Sequence, residues 1–259
     1  MNLGIAGRKA IVCASSRGLG YGCAMALAQE GCEVVINGRD EKRLSQAADE
    51  IAKATGAKVI PVAADVAKPE GQKALFAACP EPDILVNNNA GPPMRDFREL
   101  TREQIVEGVI ANMAVAIELV QKCIDPMVAR KFGRIVNITS ATVKMPLAGL
   151  DLSSGARAGL TAFMAGVARS VAASNVTINF MLPGSFDTDR LRANLDGNAK
   201  RQNITLEQSR ANRINSVPAK RFGTTEEFGA TCAFLCSAQA GYITGQNILI
   251  DGGVYPAAF

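Results

Sequence analysis

The sequence contains no histidine and no tryptophan, and it has only three tyrosines among 259 residues. Without histidine there can be no Ser-His-Asp or Cys-His catalytic arrangement, no histidine general base and no common zinc site. Aromatic residues make up 5% of the chain, too few for a surface that stacks single-stranded nucleic acid. We therefore expect no metal site and no nucleic-acid partner.

Other absences concern the cell compartment. None of the seven cysteines forms a Cys-x-x-Cys pair, a usage typical of buried free thiols in a reducing cytosol. No uninterrupted apolar run reaches the roughly 20 residues of a membrane span, and no signal-peptide pattern opens the chain. These features predict a cytoplasmic protein without a membrane partner. The net charge of +4 is too small to identify a partner.

Short apolar runs alternate with longer helical stretches along the chain. The pattern predicts strands at 10–13, 33–37, 59–63, 84–86, 134–138, 176–182 and 247–250, with helices at 19–29 and 41–55 among the connections. Continuous apolar strands joined by helices indicate a parallel sheet that is covered on both faces. We therefore predict one α/β domain over residues 1–259, a doubly wound (Rossmann) sheet of about seven strands.

The segment from Arg190 to Arg221 is unusually basic. It holds eight lysines and arginines, opposed only by Asp196 and Glu207, so its charge of +6 exceeds that of the whole chain. A solvated pair of helices would explain this composition. The other interpretation is a mobile lid over residues 188–221 that attracts an anionic substrate.

A small-residue loop follows the first predicted strand and precedes the first helix. Glycines in this place let backbone amides approach a pyrophosphate at the positive end of a helix. The loop resembles the T-G-x-x-x-G-x-G signature of the short-chain dehydrogenase/reductase family, with Cys13 and Ala14 replacing the threonine and the first glycine. The loop residues that we expect to contact a cofactor are Ser15, Ser16, Arg17, Gly18, Leu19 and Gly20.

The resemblance extends over nearly the whole chain and is greatest to the 3-oxoacyl-[acyl-carrier-protein] reductase branch. Residues 65–66, 87–91, 183–188 and 251–253 resemble the adenine-binding pair, the N-N-A-G turn, the P-G-x-x-x-T segment and the C-terminal ending. The turn has one asparagine too many; we align it on the strand, which puts Asn89 and Ala90 where alanine and glycine are usual. The resemblance implies further cofactor contacts by Asp65, Val66, Asn88, Asn89, Ala90, Pro183, Gly184, Phe186 and Thr188.

The second predicted strand suggests which nicotinamide cofactor is used. Enzymes for NAD usually carry a carboxylate at its end, and Gly38 stands there instead. Arg39 follows, and Arg17 lies in the glycine-rich loop, so two guanidinium groups are available to a 2′-phosphate. We therefore predict NADP(H) rather than NAD(H).

The resemblance also implies an asparagine, a serine and a Tyr-x-x-x-Lys pair as the catalytic group. Asn112 and Ser140 match the first two, but the usual spacing from Ser140 leads to Ser153 and, four residues on, Arg157. None of Tyr21, Tyr242 and Tyr255 stands four residues before a lysine. A serine hydroxyl is a weaker acid than a phenol, and arginine keeps its proton, so the proton relay must differ.

Several alternatives stay open at this point. The register can slip so that Ser154 faces inward, and Lys144 or Asp151 can supply the missing polar group. We expect an NADP(H)-dependent oxidoreductase that interconverts a carbonyl and an alcohol, on a small or acyl-carrier-linked substrate. A cofactor-binding protein without turnover, or an enzyme for dehydration or retro-aldol cleavage, is the alternative. The resemblance implies a homo-oligomer, a tetramer or a dimer.

Overall fold

A computed structural model describes residues 2–258. Within that range seven parallel strands form one sheet, as the sequence predicted, and the structure gives their order as β3-β2-β1-β4-β5-β6-β7. The strands are β1 Lys9–Val12, β2 Glu33–Gly38, β3 Val59–Ala63, β4 Ile84–Asn87, β5 Gly133–Ile138, β6 Val176–Pro183 and β7 Asn247–Ile250.

Helices cover both faces of this sheet. They are α1 Gly18–Gln29, α2 Glu41–Thr55, α3 Pro69–Ala78, α4 Arg102–Val109, α5 Val115–Ala129, α6 Asp151–Val171, α7 Asp189–Gln202, α8 Leu206–Ser216 and α9 Thr225–Leu235. Helices α7 and α8 occupy most of the segment predicted as a lid. A single π-helical turn, Ile110–Ala114, joins α4 to α5.

Two apolar cores lie on opposite sides of the sheet, because successive side chains of a strand point to opposite faces. Val12 and Ile36 pack with α1, α2 and α9 in one core. Ile11 and Leu85 pack with α3, α5 and α6 in the other. Every strand of the sheet centre is buried on both faces, which explains why its sequence reads as a continuous apolar run.

The order of strands reverses direction between β1 and β4, which are neighbours in the sheet. In doubly wound sheets the ligand crevice lies beyond the carboxyl ends of the strands at this reversal. The glycine-rich loop follows β1, and the asparagine-rich turn follows β4. The topology therefore brings the two segments predicted to hold a cofactor to the same edge of the sheet.

The structure also bears on the cysteines, on membrane-spanning helices and on metal-binding clusters. All seven cysteines are free and buried. Among residues 2–258 there is no helix with the length and apolarity that crossing a membrane requires. The same residues contain no group of three or more histidine, cysteine, aspartate or glutamate side chains positioned to hold a metal ion.

Helices α1 and α9 approach each other closely at two glycines. A Cβ atom on Gly22 would overlap the carbonyl oxygen of Thr225, and one on Gly229 would overlap that of Gly22. This contact fixes α1, whose first turn borders the crevice, against the rest of the domain.

We predict that Gly229→Ala lowers the free energy of unfolding by about 1–3 kcal/mol, because the added methyl group forces the two backbones apart. Denaturant unfolding measures this change. Gly197→Ala is the matched control: its Cβ would meet only the tip of Arg201, 3.8 Å away. The control variant should gain about 0.5–1 kcal/mol from the reduced freedom of the unfolded chain. Equal effects in the two variants would contradict the close approach.

Candidate active site

The loop between β1 and α1 has the shape of a phosphate cradle. Gly18 has φ +60°, and a Cβ on Gly20 would overlap the carbonyl oxygen of Ala14. Ala14 has φ +45°, in the region that favours the glycine found in the family signature. No side chain caps the first turn of α1, so its backbone N–H groups are available to a phosphate. These features fit a dinucleotide cofactor.

Two polar side chains hold this loop in place from within the protein. Ser15 is fully buried; its hydroxyl donates to the carbonyl of Val12 (2.7 Å) and accepts from the backbone N–H of Asn37 (3.0 Å). Asn88 Nδ2 donates to the carbonyl of Ala14 (3.2 Å). The Ser15 side chain therefore positions the loop, and the contact of Ser15 with the cofactor stays a prediction.

The end of β2 lies against the same loop. A Cβ on Gly38 would lie 3.2 Å from Ser16, so a larger residue would crowd the loop. Arg39 is exposed and forms no ion pair with any described residue. Arg17 is exposed as well, and its Nη1 lies 3.3 Å from a carboxylate oxygen of Asp189. The two arginines predicted to bind a 2′-phosphate are thus both accessible to solvent.

The predicted adenine-binding pair follows β3. One carboxylate oxygen of Asp65 accepts from the backbone N–H of Ala67 (3.0 Å), which closes a tight turn. Val66 is buried in the core beside α3. Its side chain is buried, so a contact of Val66 with the cofactor would have to come from its backbone, and that contact stays a prediction.

A cleft of about 320 Å³ opens at the carboxyl ends of β4, β5 and β6. Ser140, Ser153 and Arg157 all line it, together with the segment that resembles the nicotinamide-binding motif. In that segment Thr188 accepts from the N–H of Leu191 and begins α7, and the Phe186 ring packs edge-on against Phe228. Three of the four predicted catalytic residues therefore share one cavity wall with Pro183, Gly184, Phe186 and Thr188.

Ser140 lies directly beyond β5, where it begins a short 3₁₀ turn. Its hydroxyl oxygen accepts from the backbone N–H of Thr142 (3.1 Å) and from the Thr142 hydroxyl (2.9 Å). Because both bonds are accepted, the single proton of Ser140 stays free for a ligand in the cleft.

Arg157 is a buried cation held by backbone carbonyls. Its Nη1 donates to the carbonyls of Ile138 (2.8 Å) and Thr139 (3.1 Å), and its Nε donates to Ser153 Oγ (3.3 Å). No carboxylate among the described residues pairs with it. Burial, and then the charge of Arg190, lower the pKa of Arg157 to about 10.

Asn112 lies behind Arg157, in the π-helical turn between α4 and α5. Its Nδ2 donates to the carbonyl of Gly108 (3.2 Å), while its Oδ1 is buried without a partner among the described residues. Asn89 stabilises the same turn, because its Nδ2 donates to the carbonyl of Ala111 (3.1 Å). A cavity of about 20 Å³, enough for one water, lies between Asn112 and Arg157.

The alternatives left open by the sequence lie elsewhere. The Ser154 hydroxyl donates to the carbonyl of Leu150 (2.9 Å), one turn earlier in its own helix. Asp151 accepts from the N–H of Gly149 (3.0 Å), and the Lys144 ammonium lies over the ring of Tyr255 (5.4 Å). None of the side chains of Ser154, Asp151 and Lys144 lines the cleft. Neither does Ala90, which borders a separate pocket beside α4.

Two cleft residues were not singled out from the sequence. Arg190, at the start of α7, and Arg213, in α8, both line the cavity. The only signal for them was the excess of positive charge between residues 190 and 221, which did not distinguish them from six other basic residues.

Comparison with known proteins agrees with this geometry. Residues 13–255 match the family model described as enoyl-(acyl carrier protein) reductase. The chain is 30% identical over 251 residues to the NADPH-dependent reductase BacG of Bacillus subtilis (95% of this chain, 97% of the relative). It is 33% identical over 253 residues to the 3-oxoacyl-[acyl-carrier-protein] reductase FabG of Staphylococcus epidermidis (96% and 99%).

Solved structures agree as well. L-sorbose reductase from Gluconobacter frateurii, complexed with NADPH and L-sorbose, superposes with a TM-score of 0.93 at 29% identity, covering 99% of this chain and 100% of that one. The prediction of NADP(H) is thus confirmed at the level of these relatives, which are described as NADPH-dependent or contain NADPH. The matched family model, the curated relatives and the sheet topology agree: this chain belongs to the short-chain dehydrogenase/reductase family.

Proposed function

We propose that this protein is an NADP(H)-dependent reductase that interconverts a carbonyl and an alcohol with an atypical proton relay. The observation that carries the proposal is the lining of the cleft: two serines, Ser140 and Ser153, line the same cavity, and the Arg157 guanidinium bonds to the hydroxyl of the second. Bound NADP(H) supplies the hydride. The glycine-rich loop would hold its pyrophosphate, and Arg17 and Arg39 would hold its 2′-phosphate.

Ser140 and Ser153 would orient the substrate oxygen. The Ser140 oxygen is already occupied by two bonds from Thr142, so its proton points to the ligand. Two hydroxyl donors at one carbonyl oxygen stabilise the negative charge that develops there as the carbon is reduced.

Ser153 would then pass its proton to the substrate oxygen. A serine hydroxyl gives up a proton reluctantly, and the charge left on its oxygen needs a strong donor. Arg157 Nε already donates to that oxygen and keeps its own proton, so it stabilises the charge without taking part in the transfer. A water proton would restore the Ser153 hydroxyl.

Asn112 would bind a separate water beside Arg157. Two acceptors, Asn112 Oδ1 and Asn87 Oδ1, are buried without partners among the described residues, and both border the small cavity beside Arg157. A water bound there can donate to the asparagines and accept from the guanidinium, which satisfies groups that otherwise carry a desolvation cost. The water would connect Arg157 to the helix that carries Asn112.

We also propose that the protein assembles as a homo-oligomer through α4, α5 and α6. The support is a set of large apolar side chains exposed on α4, on the π-helical turn and on α6: Ile105, Val106, Val109, Ile110 and Phe163. Exposed apolar patches of this kind are typical of subunit contacts.

The first prediction concerns the cofactor. NADPH should bind more tightly than NADH in a fluorescence titration, and Arg39→Ala should weaken NADPH binding about 10-fold, because one charge-assisted contact to the 2′-phosphate is lost. NADH binding should not change. Arg43→Ala, an exposed arginine on α2, is the control and should leave both affinities unchanged. Equal affinity for NADPH and NADH would contradict the assignment.

The second prediction concerns the relay. Ser153→Ala should lower kcat for carbonyl reduction by about 10²–10⁴, because the proton donor is removed. Ser154→Ala is the matched control, one residue away and bonded only to its own helix. The double variant Ser153→Tyr with Arg157→Lys should raise kcat if only the relay differs from the family pattern. Tight NADPH binding without turnover in any of these proteins would favour the cofactor-binding alternative.

The third prediction concerns pH. Serine does not titrate in the working range, so kcat should stay constant from about pH 6 to pH 9. Burial lowers the pKa of Arg157 to about 10, still above this range, so Arg157 should keep its charge, and kcat its plateau, up to pH 9. A stopped-flow pH profile measures this. A half-maximal point well below pH 9 would indicate a different general acid.

A further inference from the structure

Most of the basic residues between 190 and 221 bond to neighbouring oxygen atoms and do not face the cleft. Ion pairs or hydrogen bonds to nearby oxygens hold six of its eight cations: Arg192 and Arg210 on Asp187, Lys200 on Asp196, Arg201 on Asn198, Lys220 on the Asn215 carbonyl and Arg221 on Glu227. These six side chains do not line the cleft. Of the eight basic residues of the segment, only two therefore line the cleft.

Those two, Arg190 and Arg213, both face the cleft and have no acidic partner within residues 2–258. Arg213 Nε donates to the hydroxyl oxygen of Ser185 (2.9 Å), and Ser185 is itself buried. This bond orients the guanidinium of Arg213, which lies in the last turn of α8. The terminal nitrogens of Arg213 donate to no oxygen of the described residues, so they are available to a ligand.

The charges that line the cleft are unbalanced. Arg157, Arg190 and Arg213 stand against a single carboxylate, Asp251, which already accepts from the backbone N–H groups of Gly253 (2.9 Å) and Tyr255 (2.8 Å). The net charge of the lining is thus +2. Arg190 lies against Gly91, where a Cβ would be 2.9 Å from its guanidinium, and its charge contributes to the lowered pKa of Arg157. Like charges held this close favour a bound anion.

We propose that Arg213, oriented by Ser185 and reinforced by Arg190, binds the carboxylate of a small carbonyl substrate. The inference rests on the proposed reductase function and specifies its substrate class. A guanidinium with its two terminal nitrogens free matches a carboxylate in a bidentate pair. The cleft of about 320 Å³ also contains the segment that resembles the nicotinamide-binding motif. The substrate would therefore share the cleft with the nicotinamide, which favours a short oxo acid.

Binding without turnover tests the proposal. The probes are pyruvate, acetoacetate and levulinate, each with its methyl ester, titrated calorimetrically into the enzyme saturated with NADP⁺. At least one acid should bind about 10-fold or more tightly than its ester, because only the acid can form the charged pair. Arg213→Met should remove most of that difference and leave the affinity of the ester unchanged.

Arg201→Met is the matched control. It removes the same charge from α7, but Arg201 bonds only to Asn198 and does not line the cleft. Its acid-to-ester ratio should equal that of the wild type, and Arg213→Lys should restore part of the ratio lost in Arg213→Met. Thermal unfolding of each variant shows whether a lower acid-to-ester ratio comes from misfolding. If Arg213→Met misfolds, the ratio measured for Arg213→Lys decides whether Arg213 binds the carboxylate.

Several results would overturn the proposal. They are equal affinity for every acid and its ester, no binding of any acid, or a ratio that does not depend on Arg213. Pantetheine phosphate and pantetheine are titrated as a second pair. If only the phosphate of that pair depends on Arg213, the site belongs to an acyl-carrier arm instead. Acids that bind through Arg213 but are not reduced by NADPH would support the carboxylate site and contradict the proposed reductase function.

Discussion

The active-site architecture depends on one buried guanidinium without a carboxylate. Arg157 donates to two carbonyls at the end of β5 and, more weakly, to the carbonyl of Asn89 beyond β4 (3.5 Å). A charge buried without compensation costs several kcal/mol, and here carbonyl dipoles replace the counter-ion. These bonds fix helix α6 against the carboxyl ends of two strands. They also determine where Ser153 lies, because its oxygen accepts the remaining Nε–H.

The same guanidinium links catalysis to substrate choice. A cation that lacks an acidic partner would favour anions in the cleft, and Arg190 and Arg213, which line the same cleft, would add to this effect. The usual tyrosine and lysine of the family would supply a titrating acid at this position; serine and arginine supply a fixed charge and a fixed donor.

Much of the scaffold could be predicted from the sequence, because its signals are local. The apolar strand runs and the glycines after β1 each depend on a few neighbouring residues, and the structure has all seven strands where the pattern put them. For the site, the sequence predicted which positions along the chain to consider but not which side chains face the cleft. The spacing led to Ser153, yet whether Ser153 or Ser154 faces the cleft depends on the rotation of α6, which long-range packing determines.

The sequence by itself determined the fold, the order of the cofactor-binding segments and the absence of the usual tyrosine. Tertiary structure decided which charges are available. The sequence does not distinguish the eight basic residues between 190 and 221, but in the structure four of them form ion pairs with Asp187, Asp196 and Glu227. Only folding leaves Arg190 and Arg213 facing the cleft, because an ion pair depends on distances of a few ångströms that composition does not specify.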